Sequence, residues 1–303
     1  MTAPQTDLPD SLLNQRFFDA CDAEDAAIAE SLAPGADPWW KPSEDSQTAL
    51  WFAVFGSRAD ILEAMLANPQ FQEAVRDPRS DDLLWCAIPN GSPRALSLLL
   101  PFFIGGRLDA IQPGSPQGPS PKETALMFAA KNNPPLVGLL LESGADPLRT
   151  DAQGRDSLMA VAGSWWRGAV QTQAISALLA CSDLARVDQQ GRNALMLAAE
   201  TGSLEAVQAL KPFFDAGALD HQGVDAFSMA LREKNWPCVD FLGCDVSPRL
   251  LAEALDVAGA AQLPRSAAFL EAGSLRAAAF EGPAGESDFL RDISIAKRFP
   301  RSL

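Results

Sequence analysis

One apolar position recurs along the chain, at Phe17, Leu50, Leu84, Leu126, Leu158, Leu195 and Phe227, with spacings of 33, 34, 42, 32, 37 and 32 residues. This period constrains the fold more than any motif does. A unit of about 33 residues buries too little apolar surface to be stable alone, so it must be stacked on copies of itself. Residues downstream of each anchor repeat as well. Eleven and twelve positions on lie Ile61 and Leu62, Ala95 and Leu96, Val137 and Gly138, Ala206 and Val207, and Cys238 and Val239; fifteen on lie Leu32, Met65, Leu99, Leu141, Leu210 and Leu242. Only the unit at Leu158 breaks phase, because Trp165 to Gln171 are inserted before Ile175, Leu178 and Leu179.

Each unit reads as two short helices. The first begins two residues before its anchor, at Thr48, Asp82, Thr124, Asp156, Asn193 or Asp225. The side-chain oxygen of such a residue accepts a free helical N–H, which stabilises the start by about 1 kcal/mol. Small residues follow at Ala53, Ala87, Ala129, Ala130, Ala198, Ala199 and Ala230, where a neighbouring helix must come close. The second helix is expected to stop at the glycines of Pro34–Asp37, Ser143–Asp146 and Asp215–Asp220.

This pattern resembles the ankyrin repeat family over roughly residues 11 to 245, most strongly from Lys122 to Pro147 and from Asp188 to Asp220. The resemblance implies an all-α solenoid of about seven to eight helix-turn-helix units with short hairpin loops. It also implies a curved array that binds other proteins with its hairpin tips and inner helices. No unit keeps the family's Thr-Pro-Leu-His start: proline becomes Ala49, Leu83, Ala125, Ser157, Ala194 or Ala226, and histidine becomes Trp51, Trp85, Met127, Met159, Met196 or Ser228. The departures imply a diverged, bacterial version. Residues 1–245 are expected to form the repeats with their N-terminal cap, Leu12, Leu13, Phe17 and Phe18 facing inward. Residues 246–303 are expected to form a degenerate repeat, cap and tail, including a helix over 287–298.

Twenty-four basic against 39 acidic residues give a net charge of −15, which repels phosphate backbones and anionic lipids. Nucleic acid and membranes are therefore not the expected partners. The acidity serves either solubility or the attraction of a basic protein. The polar, acidic start MTAPQTDLPD has neither a cationic region nor an apolar run, so a cytoplasmic location is expected. Five scattered cysteines, Cys21, Cys86, Cys181, Cys238 and Cys244, read as small buried hydrophobes in a reducing compartment.

Catalytic signatures are sparse. The single histidine, His221, rules out two-histidine metal sites and triads that need a second histidine. No Gly-x-Ser-x-Gly, P-loop, Gly-x-Gly-x-x-Gly or His-Glu-x-x-His motif occurs. His221 beside Asp220 and Asp225 suits a hairpin tip better than a general base. No catalytic residue, metal or cofactor is expected.

Binding residues are sought instead at the hairpin tips and inner helices that the resemblance points to. The tips offer Trp39, Trp40, Arg76, Asp77, Arg79, Asp81, Arg149, Asp151, Arg186, Asp188, Asp220 and His221; the inner helices offer Phe52, Phe128, Lys131, Glu200, Arg232 and Glu233. One of Trp39 and Trp40 is expected to be buried and the other available, since tryptophan is enriched among interface hot spots. Two insertions interrupt the array. The Pro/Gly/Ser half of residues 101–121 should project as a mobile loop near the hairpin edge, either carrying specificity or merely connecting. Trp165 and Trp166 are expected to cover the side of the array. The function expected is non-catalytic binding of another protein by a chain that is a monomer on its own. Its sharper form is a cytoplasmic inhibitor of a basic partner such as a toxin, in the manner of an immunity protein. A scaffold or host-directed effector is the alternative, and a hydrolase using cleft carboxylates the remote one.

Overall fold

The computed structural model describes residues 9–44, 46–90, 93–103, 105–111, 122–243 and 246–280. Half of the 101–121 insertion, Cys244 and the expected helix over 287–298 lie outside the described residues. No strand occurs among those described, and the fold is helical throughout. The chain forms two compact units, Met1–Val161 with Ala169–Ser182, and Ala162–Gly168 with Asp183–Leu303.

The first unit is a series of helical hairpins. Helices α1 (Asp10–Asp22) and α2 (Ala26–Leu32) make the first, α3 (Ala49–Phe55) and α4 (Ala59–Leu66) the second. Next come α5 (Pro69–Arg76), then α6 (Asp82–Asn90) with α7 (Pro93–Leu99), and α8 (Ala125–Asn132) with α9 (Val137–Glu142). Helices α10 (Ser157–Ala162) and α11 (Ala169–Leu179) follow. The leading helices α1, α3, α6 and α8 pack in one row, and α2, α4 and α7 in a second row. Alanine at 53, 87, 129 and 130, fully buried, lets the leading helices approach closely.

The second unit repeats the scheme with α12 (Ala194–Thr201) and α13 (Leu204–Leu210), α14 (Ala226–Arg232) and α15 (Trp236–Leu242), and α16 (Pro248–Ala258) and α17 (Pro264–Phe280). All seven recurring anchors are buried. Asp240 on α15 accepts from the Ser266 N–H at 2.8 Å and the Arg265 N–H at 3.2 Å, so a carboxylate from one hairpin caps the last helix.

Five of the six expected helix starts are capped as their side chains dictate. The Trp51, Met127, Met159, Met196 and Ser228 amides donate to Thr48, Thr124, Asp156, Asn193 and Asp225 at 2.7 to 3.3 Å. Asp82 differs. A 3₁₀ turn at Pro78–Ser80 runs through helical Asp81 straight into α6, leaving no extended residue to act as cap, and Asp82 falls inside the first turn.

Other departures are local. Leu140 rather than Leu141 is the buried residue of its unit, because the 3₁₀ turn Pro134–Leu136 leads into the second helix and shifts its phase. Gly144 ends α9 in the left-handed region (φ +91°), whereas Gly35 sits in a 3₁₀ turn where an added Cβ would lie 3.1 Å from Leu13. Leu13 and Phe17 face inward, but Leu12 is exposed and Phe18 half-exposed. Cys21 and Cys238 are buried as expected, while Cys181 is exposed.

Side chains at the turn between paired helices reach back to the preceding unit. Arg58 donates to the Cys21 carbonyl, Asn133 to that of Ile88 at 2.8 Å, and Asn235 to those of Ala199 and Glu200 at 2.9 and 2.8 Å. Each satisfies a carbonyl that the end of a helix leaves without an intrahelical partner.

Candidate binding face

The leading-helix row of the first unit carries aromatic side chains at neighbouring positions. Phe18 on α1 meets Phe52 on α3 edge to face, with centroids 5.4 Å apart, and Trp40 from the following loop at 6.1 Å. Phe52 meets Trp51 at 5.3 Å, and Trp51 stacks on Phe55 at 4.7 Å and 11°. The Trp51 indole also donates to the Cys86 thiol on α6, whose neighbour Trp85 meets Phe128 on α8 at 5.4 Å. Rings thus run from α1 to α8. Trp85 is buried, but Phe18, Trp40, Trp51, Phe52 and Phe128 are half-exposed and Phe55 is 43% exposed. Keeping such apolar area in water is unfavourable, and contiguous patches of it mark contact surfaces.

A cleft of about 340 Å³ opens beside this row, between the loop after α2 and the turn before α6. It is lined by Pro38, Trp39, Lys41, Gln47, Thr48, Leu50, Trp51, Arg79, Ser80, Asp82 and Leu83. Trp39 and Trp40 are both half-buried, rather than one hidden and one free. Trp39 carries the Arg79 guanidinium 3.9 Å above its ring. Asp77 grips the same guanidinium with two bonds of 3.0 and 2.9 Å, which holds the Asp77 carboxyl at about 2, well below its ordinary range.

The remaining tip residues are mostly engaged inside their own turns. Arg76 ends α5 and lies 4.9 Å from the Phe102 ring, and Asp81 pairs with Arg107 at 2.6 Å. Asp151, Asp188 and Asp220 each accept from the amides two and four residues on, at 2.8 to 2.9 Å, closing identical turns. Arg155 and Arg192 cover the first two, and the Asp188 side chain is 0% exposed, so it presents nothing to a partner. His221 is exposed, and its backbone N–H donates to the Gln190 carbonyl at 2.9 Å, linking two successive turns. Arg149 and Arg186 make loose pairs with Asp146 and Asp183 at 3.6 and 3.9 Å.

In the second unit the corresponding helix faces are charged. Arg192 bridges Asp188 and Glu200 at 2.9 and 2.8 Å, and Arg232 reaches Glu200 at 3.5 Å and Glu233 at 3.2 Å. In the first unit Lys131 pairs with the buried Glu123 at 3.2 Å. Trp165 covers nothing: it is 85% exposed, in a loop that Arg167 holds by donating to the carbonyls of Ser164, Trp166 and Thr201.

Sequence reasoning missed Trp51, Phe55 and Arg107. Trp51 and Phe55 are four positions apart and so share one face of α3, the only sequence signal that joins them. Among the described residues no group of three or more His, Cys, Asp or Glu could hold a metal ion, and no helix is long and apolar enough to cross a membrane.

Stacked helical hairpins with capped leading helices and an aromatic surface row define a helical-repeat protein of the kind that binds other proteins. The family described as "Ankyrin repeats (3 copies)" matches residues 158–249, and "Ankyrin repeat" matches residues 122–152. The chain is an ankyrin-repeat protein, a class whose general role is protein–protein interaction and whose members are in general non-catalytic binding modules. No curated protein matches the sequence.

Proposed function

We propose that this chain is a non-catalytic cytoplasmic protein, bacterial in origin and a monomer alone, that captures a basic protein on the aromatic row of α1, α3, α6 and α8. Capture would hold that partner inactive, in the manner of an immunity protein. The row of half-exposed rings carries the reading. Aromatic side chains give interfaces large contact areas at low entropic cost; the rings of α1, the loop after α2 and α3 form one touching cluster, and Phe128 on α8 extends the row beyond the buried Trp85.

Charge supports the basic partner. Beside Phe18, helices α1 and α2 and the turn between them hold Asp10, Asp19, Asp22, Glu24 and Glu30 exposed, against Arg16 alone in the same stretch, with Glu24 paired to Arg58 at 3.4 Å. With the chain at −15, a cationic protein is steered toward this end at raised association rate, most strongly at low salt. Within the expected site set, the proposal retains Trp39, Trp40, Phe52 and Phe128 as contacts. Residues 1–245 are read as the binding array, with 246–303 closing it.

Co-expression with the product of the adjacent gene tests this. A 1:1 complex with a basic protein whose activity is lost on binding is the expected result. The proposal fails if the native lysate yields no stoichiometric partner, or an acidic one.

A further inference from the structure

The cleft between the loop after α2 and the turn before α6 has a composition that its structural duties leave unexplained. Asp82 is half-buried at its wall, in the first turn of α6, where the backbone amides of Asp82 and Leu83 favour its charged form. It forms no ion pair with any described residue. Lys41, a cation that acts on it across the cleft, is exposed and forms no ion pair with a described residue either. Arg79 also lines the cleft, but its fork is committed to Asp77 and its face to Trp39. A carboxylate taken partly out of water without a counter-charge is unfavourable, and a bound cation relieves that.

The other walls narrow the kind of cation. Trp39 and Trp51 bring two indole rings to the same cleft, and an indole face attracts a planar guanidinium more readily than a hydrated ammonium. Trp39 already binds one guanidinium, that of Arg79 at 3.9 Å. Besides Lys41, Arg79 and Asp82, the polar groups of the wall are the uncharged Gln47, Thr48 and Ser80, which leaves Asp82 the one anionic side chain lining the cleft.

We infer that this cleft is a subsite for an arginine side chain of the partner, with Asp82 pairing its charge and the Trp39 and Trp51 rings flanking it. The inference rests on the basic-partner reading above and sharpens it from overall charge to one named contact. Burial, reinforced by the neighbouring Asp81, holds the Asp82 carboxyl above its usual range, as an acceptor awaiting a cation would be held.

The test needs no partner. N-acetyl-arginine amide is titrated into the full chain while the tryptophan indole N–H signals are followed by NMR, with N-acetyl-citrulline amide as the neutral isostere. The arginine probe should shift the Trp39 and Trp51 signals saturably and bind at least about tenfold more tightly than citrulline. D82N should remove that preference while leaving the melting temperature unchanged or raised, since asparagine keeps the acceptor and drops the half-buried charge. Equal binding of the two probes, or an arginine preference that survives D82N, overturns the subsite. Those results leave the partner reading intact, because capture of a basic protein on the aromatic row is measured separately. Conversely, a subsite that binds the probe in a chain that captures no basic protein would sink the partner reading alone.

Discussion

Arg107 donates to the Asp81 carboxylate at 2.6 and 2.9 Å, and its remaining N–H groups reach the carbonyls of Val75, Arg76, Asp77 and Phe102. Its guanidinium also lies 4.6 Å from the Phe103 ring. One side chain from the insertion at 101–121 thus closes the end of α5 and ties the turn before α6 to the segment after α7. R107A should destabilise the first unit by about 2–3 kcal/mol, because several partly buried acceptors lose their donor together. R107K should recover little, since an ammonium cannot span the same fork. Urea unfolding of the three proteins checks this; an R107A midpoint equal to wild type contradicts it.

Gly191 and Gly223 close equivalent turns with φ of +80° and +77°, but their surroundings differ. A Cβ on Gly191 would meet the His221 ring at 2.5 Å and its backbone nitrogen at 2.9 Å, whereas a Cβ on Gly223 meets nothing. G223A should cost about 1 kcal/mol, the left-handed penalty for a residue with a side chain. G191A should cost at least twice as much, and H221A in the same chain should recover part of the difference. Equal losses in thermal melts of the two alanine variants would rule the argument out.

Thiol reactivity should separate the cysteines. Burial pushes the thiols of Cys21, Cys86 and Cys238 up from 9.0 to about 12, 11 and 11, while Cys181 is exposed. In a C244S background at pH 8, a thiolate-seeking reagent should label Cys181 alone in the native state, and all four after unfolding. These shifts also give stability a sign. The unfolded thiols ionise first as pH rises, so the contribution is complete below about pH 9 and is lost toward pH 11 to 12. Labelling of Cys21 or Cys238 at the Cys181 rate would contradict the packing.

The repeat was readable because its signals are local and recur. A cap such as Thr48, an anchor such as Leu50 and an alanine such as Ala53 each act within one helix, so periodicity exposes them. What escaped depends on three-dimensional geometry that the repeat period does not mark. Helix α5 forms because Pro69 can begin a helix and Phe71, Ala74 and Val75 fall on one face, but the two-helix repeat has no place for it and in sequence its last residue, Arg76, reads as a hairpin tip. Asp188 looked like an exposed tip charge; only its geometry reveals that two amides and Arg192 consume it. The aromatic row escaped for a related reason. Phe55 lies on the helix face opposite the anchor, where no period marks it, and its meaning comes from stacking on Trp51.

The row should be separable from the fold. Because Phe55 is 43% exposed and touches the fold through its stack on Trp51, F55A should destabilise the chain by no more than about 1 kcal/mol. Loss of the native far-ultraviolet signal or a large drop in melting temperature would make Phe55 a core residue and remove it from the binding face.

The central claim is that this array grips a basic protein through its exposed rings. Calorimetric titration of the co-purified partner into wild type, F55A and W40A measures it most directly. The account predicts a 1:1 complex whose affinity falls about 10- to 1,000-fold in the variants, with partner activity returning in step. Unchanged affinity in both folded variants would contradict it.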